Sequence, residues 1–432
     1  MKYLIPIFCI FLFANCKNES QHVVTSDIDL FWKAYDQIIT TEDSTEQLKQ
    51  LKELYLDQGS PGLNGIIRAR NYTPQEYLGA INDYPLFWAS VRENTYQAKT
   101  LSRKLEVGVH KLKQLYPDLK PAKIYFTIGA LRTNGTVIDS MLLIGSELAM
   151  GDENTVTTEF PERLGHLPSF FKNNPIKSVV ALNIHEYIHT QQNAVGGYDL
   201  LSQSVFEGVA EFVPVIALGE ASTTPAINYG KANENKVKES FSKELFSPWI
   251  YNWIWNSLDN EFGVRDLGYY VGYAMAEKYY EQATDKKQAI KDLIELDYQD
   301  QEAIEAFVDK THYFDKSIEV LKREFEDSRP TVVNIVEFEN GSQQVNPNLE
   351  QLTIEFSTPM DQNYRSTDFG ELGKDHCPEI KTIKFNDEGT KATYFINLEP
   401  NKHYQMLVDY GYRTLNAIPL KPFLIEFSTT KY

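Results

Sequence analysis

The chain has 432 residues, 42% of them hydrophobic and 24% charged, a composition that excludes wholesale disorder and a length that fits two or three domains. Forty-two basic against 60 acidic residues leave a formal charge of −18. Along the sequence the basic residues read as scattered, which argues against a nucleic-acid partner, whose phosphates would be repelled.

The chain opens MKYLIPIFCIFLFANCKNES: one lysine, an apolar run, then Phe13, Ala14, Asn15 and Cys16. The run is short for a membrane span and fits an export signal over residues 1–15. The small residues before Cys16 resemble a bacterial lipobox, although Asn15 stands where Gly or Ala is usual. The resemblance implies removal of the signal, lipidation of Cys16 and anchoring in the cell envelope, at an outer-membrane or cell-surface address. A plain secretory signal is the alternative. With Cys9 removed and Cys16 lipidated, Cys377 is the one thiol left, so stability must come from packed cores or a bound metal rather than an internal disulfide.

A polar tether at 16–26 precedes a long α+β region, 27–328. Residues 27–120 carry apolar side chains at helical spacing, as in DLFWKAYDQII and TEQLKQLKELYL, broken at GSPGLNG (59–65) and Tyr84-Pro85. Residues 121–150 hold two β-rich runs, IYFTIGAL and VIDSMLLIG, and read as a hairpin around Thr133-Asn134-Gly135. After Asn174-Pro175, a helix start, the helical pattern returns. From 329 to 432 the period falls to two, in VVNIVEF, LEQLTIEFS, IKTIKFN, KATYFINL, HYQMLVDY and FLIEFSTT, which predicts an all-β sandwich. There GSQQVNPN, LTIEFSTPMD and FLIEFST resemble the bacterial immunoglobulin-like modules appended to surface enzymes and S-layer proteins. That resemblance implies spacing or the binding of a surface partner, and no catalytic residue.

The chemistry concentrates in VVALNIHEYIHTQQN, residues 179–193. Residues four apart share a helix face, so His185 and His189 can offer imidazoles to one ion, with Glu186 beside them to take a proton from metal-bound water. Val179, Val180, Leu182, Ile184 and Ile188 are expected to bury this helix. The plain alternative is a helix that happens to hold two histidines. A catalytic zinc set has three protein ligands. The stretch LLSQSVFEGVAEFV (200–213), capped by Asp199, puts Glu207 and Glu211 on one face, while Gly208 permits close packing. Carboxylates on so apolar a helix are costly to bury without a cation or a donor; an ordinary solvated face is the bland reading.

HEYIHTQQN with FEGVAEF resembles the gluzincin metallopeptidases and, more narrowly, a bacterial group of zinc-dependent proteases inferred from HExxH and EGxAE motifs. The resemblance implies a mostly helical domain with a small sheet, Zn2+ as cofactor, His185, His189 and Glu207 as ligands, and Glu186 as general base. It makes Glu211 the acceptor of a ligand histidine's ring N–H, His185 first; the two glutamates exchange roles if Glu211 is the ligand. Tyr270, between Tyr269 and Tyr273, is the candidate to stabilise an oxyanion, with core packing as its alternative. FTIGAL is the candidate edge strand for an extended peptide. These features imply an exported, lipid-anchored zinc peptidase acting on a peptide or protein substrate. The rival reading is a surface lipoprotein that binds a protein or glycan partner, its zinc site structural or vestigial.

Overall fold

The computed structural model describes residues 22–196 and 199–432; the export signal, Cys16 and Gly197 lie outside the described residues. The fold is α+β, and the chain divides into two compact units, one ending at Gln191 and one beginning at Gln192.

The first unit opens with β1 (Val23–Val24) and continues through α1 (Ser26–Ile38), α2 (Ser44–Leu54), α3 (Pro61–Arg70), α4 (Pro74–Asp83), α5 (Pro85–Tyr96) and α6 (Ala98–Leu115). The break expected at GSPGLNG falls at Gly59-Ser60, and the rest of the stretch begins α3. Ser60 Oγ accepts the N–H groups of Gly62 and Leu63, and Pro61 occupies the first turn, where no N–H is needed. Phe31, Trp32, Tyr55 and Trp88 are fully buried at the centre of these helices. Their polar handles are satisfied: the Trp32 indole donates to Thr95 Oγ1 at 2.8 Å and that of Trp88 to the Ala80 carbonyl at 2.8 Å.

A four-stranded sheet follows from β2 (Lys123–Thr127), β3 (Gly135–Ile138) and β4 (Met141–Gly145), in the order β1-β2-β4-β3. It corrects the expected hairpin. Strands β2 and β4 pair in parallel, and the hairpin is β3 with β4, reversing at Asp139-Ser140 with Asp139 at φ 52°. Thr133-Asn134 belongs to the connection out of β2, and Gly135 begins β3. Val23 and Val24, in the stretch read as tether, pair in parallel with Ile124 and Tyr125, so β2 is an interior strand and not an edge open to a peptide. Beyond it the Ile128 amide donates to Tyr55 Oη at 3.0 Å, and the Gly129 and Leu131 amides donate to the Glu147 carboxylate at 2.8 and 3.2 Å. Glu147 sits in α7 (Ser146–Ala149) with no exposed surface, and burial pushes its carboxyl pKa up to about 7. Helices α8 (Leu167–Lys172) and α9 (Val179–His189) complete the unit.

The second unit is built on α10 (Leu200–Leu218), capped by Asp199, whose carboxylate accepts the Ser202 N–H at 2.9 Å. By length and composition alone α10 could cross a membrane, but its most apolar window is 72% buried, which makes it a core helix. After α11 (Pro225–Ala232) and α12 (Glu234–Phe241) comes its main partner, α13 (Leu267–Gln282), then α14 (Lys286–Ile294), α15 (Gln301–Thr311) and α16 (Ile318–Ser328). Gly208 and Gly272 set the α10–α13 crossing: a Cβ on Gly208 would overlap the Gly272 backbone, and one on Gly272 would overlap the Ser204 carbonyl.

The same unit carries seven strands, β5 (Val332–Ile335), β6 (Gln351–Phe356), β7 (Thr367–Phe369), β8 (Glu379–Phe385), β9 (Lys391–Asn397), β10 (His403–Val408) and β11 (Phe423–Ser428). Two antiparallel sheets form, β5-β6-β9-β8 and β11-β10-β7. Alternate residues supply one shared core: Leu352, Ile354, Tyr394 and Ile396 from the first sheet, Met406, Val408, Ile425 and Phe427 from the second. The short β7 is the strand that sequence periodicity misses, since its three residues bury no side chain.

Candidate metal centre

Helix α9 presents its histidines because its opposite side is tied down. Tyr187, about 200° round the helix from His185, is fully buried, and its phenol oxygen accepts the Ala122 N–H at 2.8 Å. One turn on, Gln191 accepts the Lys120 N–H at 2.7 Å and donates to the Lys120 carbonyl at 3.2 Å. Val179, Ile184 and Ile188 are buried as expected and Val180 is half-buried; Leu182 is instead 38% exposed.

His185 is buried and His189 half-buried, with ring centroids 4.7 Å apart and ring planes at 85°. Their Nε2 atoms stand 3.0 Å apart. The Nε2–H tautomer of one neutral imidazole facing the other's lone pair accommodates this approach, and so does a metal ion facing two lone pairs. Imidazole nitrogens sharing a tetrahedral zinc, with bonds of about 2.0–2.1 Å, stand about 3.3 Å apart, so the pair fits a metal with a movement of a few tenths of an ångström. Glu186 is half-buried on the same helix.

The other candidates belong to the second unit. Glu207 on α10 is 6% exposed. Tyr269, from α13, hydrogen-bonds its carboxylate, and burial together with the Glu207 charge pushes the Tyr269 phenol pKa far up, so the phenol stays protonated and donates. The Trp255 indole in turn donates to Tyr269 Oη at 3.1 Å. Trp255 is held at φ 56°, its backbone N–H on the Asp266 carboxylate at 2.6 Å; a bulky residue in the left-handed region marks a locally imposed conformation. One turn along α10, Glu211 accepts the hydroxyls of Thr224, at 3.1 and 3.2 Å, and Ser222, at 3.3 Å.

Tyr270 is buried in the second unit. Its ring is 2% exposed and packs where a Gly230 Cβ would stand. It is a core residue. Its neighbour Tyr269, about 100° round the helix, is the tyrosine that meets Glu207. Sequence reasoning saw the cluster of tyrosines but had no phase for α13; the Gly268 and Gly272 spacing, which marks the face turned to α10, was the available signal.

The family model described as gliding motility protein GldB matches residues 16–245. The chain belongs to this family. The matched span contains both HEYIH and FEGVAEF, so the motifs that carried the gluzincin resemblance sit inside a lipoprotein family described by motility. This finding overturns the gluzincin assignment and the peptidase function with it. The physical reason is that HExxH states a helix geometry, two imidazoles and a carboxylate at fixed spacing, and not what is bound or cleaved there. The family places the protein in the bacterial cell envelope as a lipoprotein. No curated protein matches. Among solved structures, the chain is 12% identical to the N-terminal part of the bacterial S-layer protein SbsC, covering 94% of this chain and 77% of that one at a TM-score of 0.19. It is also 12% identical to the S-layer protein rSbsC(31-844), covering 95% and 46% at a TM-score of 0.18.

Proposed function

We propose that this protein serves gliding motility as a lipid-anchored surface component that binds a protein partner, and that zinc at His185 and His189 acts as a structural ion. The single observation that supports this most is the family match over residues 16–245. Zinc is supported by the 3.0 Å approach of two imidazole nitrogens. Glu207 is the third ligand that the sequence spacing nominates, with Tyr269 orienting its carboxylate. When bound, the ion would supply folding free energy by tying ligand side chains together. The β-rich part, read as an immunoglobulin-like module, is the partner-binding half of this proposal. Val333 on β5 and Val336 just beyond it, exposed at 61% and 52% beside an edge strand, support it.

Two experiments test the proposal. Deleting the gene in a gliding bacterium should abolish surface movement, and normal movement would sink the motility role. Elemental mass spectrometry of the purified chain should find about one zinc, lost in His189→Ala; a chain that stays metal-free after zinc loading would remove the ion.

A further inference from the structure

One helix of this acidic protein is basic, and it stands where the chain arrives from its anchor. Residues 99–123 hold seven Lys and Arg against two acids, Glu106 and Asp118, a net +5 within a chain of −18. On α6 the basic side chains that read as scattered fall together. Arg103, Lys104, His110 and Lys111 are exposed on one face, with Val107 at its centre, 54% exposed. Leu105, Val109 and Leu112 bury the opposite face. The helix's one carboxylate is turned elsewhere, since Glu106 Oε1 accepts the Val23 N–H at 2.9 Å. At the N-terminal end Lys99 is paired with Asp29 at 2.9 Å, so the basic face proper begins at Arg103.

That Glu106–Val23 bond fixes where the chain enters. His22 lines a cavity of about 630 Å³ together with Val107, His110, Lys113 and Lys120. Five residues lie between Cys16 and His22, six Cα steps with a reach of at most about 22 Å. A lipid on Cys16 therefore keeps this face within about 22 Å of the bilayer, and closer for any conformation short of full extension.

We propose that the exposed face of α6 is a membrane-docking surface that lies on the anionic phospholipid headgroups of the leaflet holding the lipidated Cys16. The inference rests on lipidation at Cys16. Phosphates complement Arg103 and Lys104, and Val107 offers an apolar contact at the headgroup boundary. A basic patch beside a lipid anchor adds a second contact that fixes how the anchored protein lies on the bilayer. Each Lys or Arg near an anionic surface strengthens association by about fivefold. Docking in this way sets the orientation of the first unit, and with it the side of α9 that faces away from the membrane.

The test uses the lipidated mature chain in vesicles of phosphatidylcholine, with and without phosphatidylglycerol. A bimane on Val107→Cys, in a Cys377→Ser background, is read against a headgroup-quencher lipid. Quenching should be several-fold stronger in the phosphatidylglycerol vesicles. It should fall to the phosphatidylcholine level in high salt and in Arg103→Gln/Lys104→Gln, a milder pair than charge reversal. Equal quenching in both vesicle types, or quenching that survives salt and the double variant, overturns the docking face. Flotation of the chain with the vesicles reads the anchor separately. A chain that does not float refutes lipidation and the docking face together, while one that floats without composition-dependent quenching refutes the face alone.

Discussion

Glu147 offers the sharpest test of the first unit's packing. Its carboxylate is fully buried and accepts the Gly129 and Leu131 amides, yet burial outweighs those bonds and pushes the pKa up to about 7 from 4.5. Because the folded-state value lies above the unfolded one, protonation favours the folded state. The contribution is whole below about pH 4.5 and is lost as pH rises through 7. Two and a half pKa units correspond to about 3.4 kcal/mol, of which about 2.5 kcal/mol falls between pH 5 and pH 8. Hydrogen exchange of the β2 and β4 amides, corrected for intrinsic rates, reads this locally; protection should drop about seventyfold between those pH values from this group alone. Asp27, Asp199 and Glu244 also have raised values and shift stability in the same direction, so the quantity to compare is wild type minus Glu147→Gln. The variant should lose most of the pH dependence in β2 and β4. An unchanged dependence in Glu147→Gln would refute the reasoning.

Gly208→Val should destabilise the second unit by about 3 kcal/mol or more, because the new side chain meets the Gly272 backbone, which cannot yield; thermal unfolding checks it, and a near-native melting temperature would count against the crossing. Tyr269→Phe should cost about 1–3 kcal/mol by leaving the buried Glu207 carboxylate short of a donor, and should weaken zinc binding about tenfold to a hundredfold. Tyr270→Phe should leave zinc affinity unchanged. Chelation of the wild-type chain should lower its melting temperature, with no such shift in His189→Ala; equal responses would remove the structural ion.

Local chemistry made parts of this fold readable in advance. Asp199 caps α10 because a short carboxylate before an apolar helical run can take an orphan N–H, and it does so. Alternation announced the strands of the two β-sheets, since each buries every second residue on one shared core. What the sequence could not disclose was non-local. The parallel β2–β4 pairing leaves no turn signature, and Val23-Val24 is too short to announce itself as a strand. Asp139-Ser140 carries the reversal through a single positive φ on an aspartate, a weaker signal than Asn134-Gly135 close by. At the site, spacing alone put the two histidines on one face, but which tyrosine met Glu207 depended on how α13 is rotated against α10, and Gly208 against Gly272 sets that. The basic face on α6 was equally hidden, because its residues gather only when wound into a helix. The peptidase reading failed for another reason: ligand spacing constrains an ion, and the ion does not name its task.

The most direct test of the account is gliding by cells whose sole copy of the gene carries Glu186→Ala, with protein level and zinc content measured in parallel. If the ion is structural and the protein acts by binding a partner, those cells should glide at the wild-type rate with normal protein and metal, while His185→Ala cells lose zinc and movement. Glu186→Ala cells that hold normal amounts of zinc-loaded protein but do not glide would contradict the account, since they would show that the carboxylate beside the histidines does chemistry.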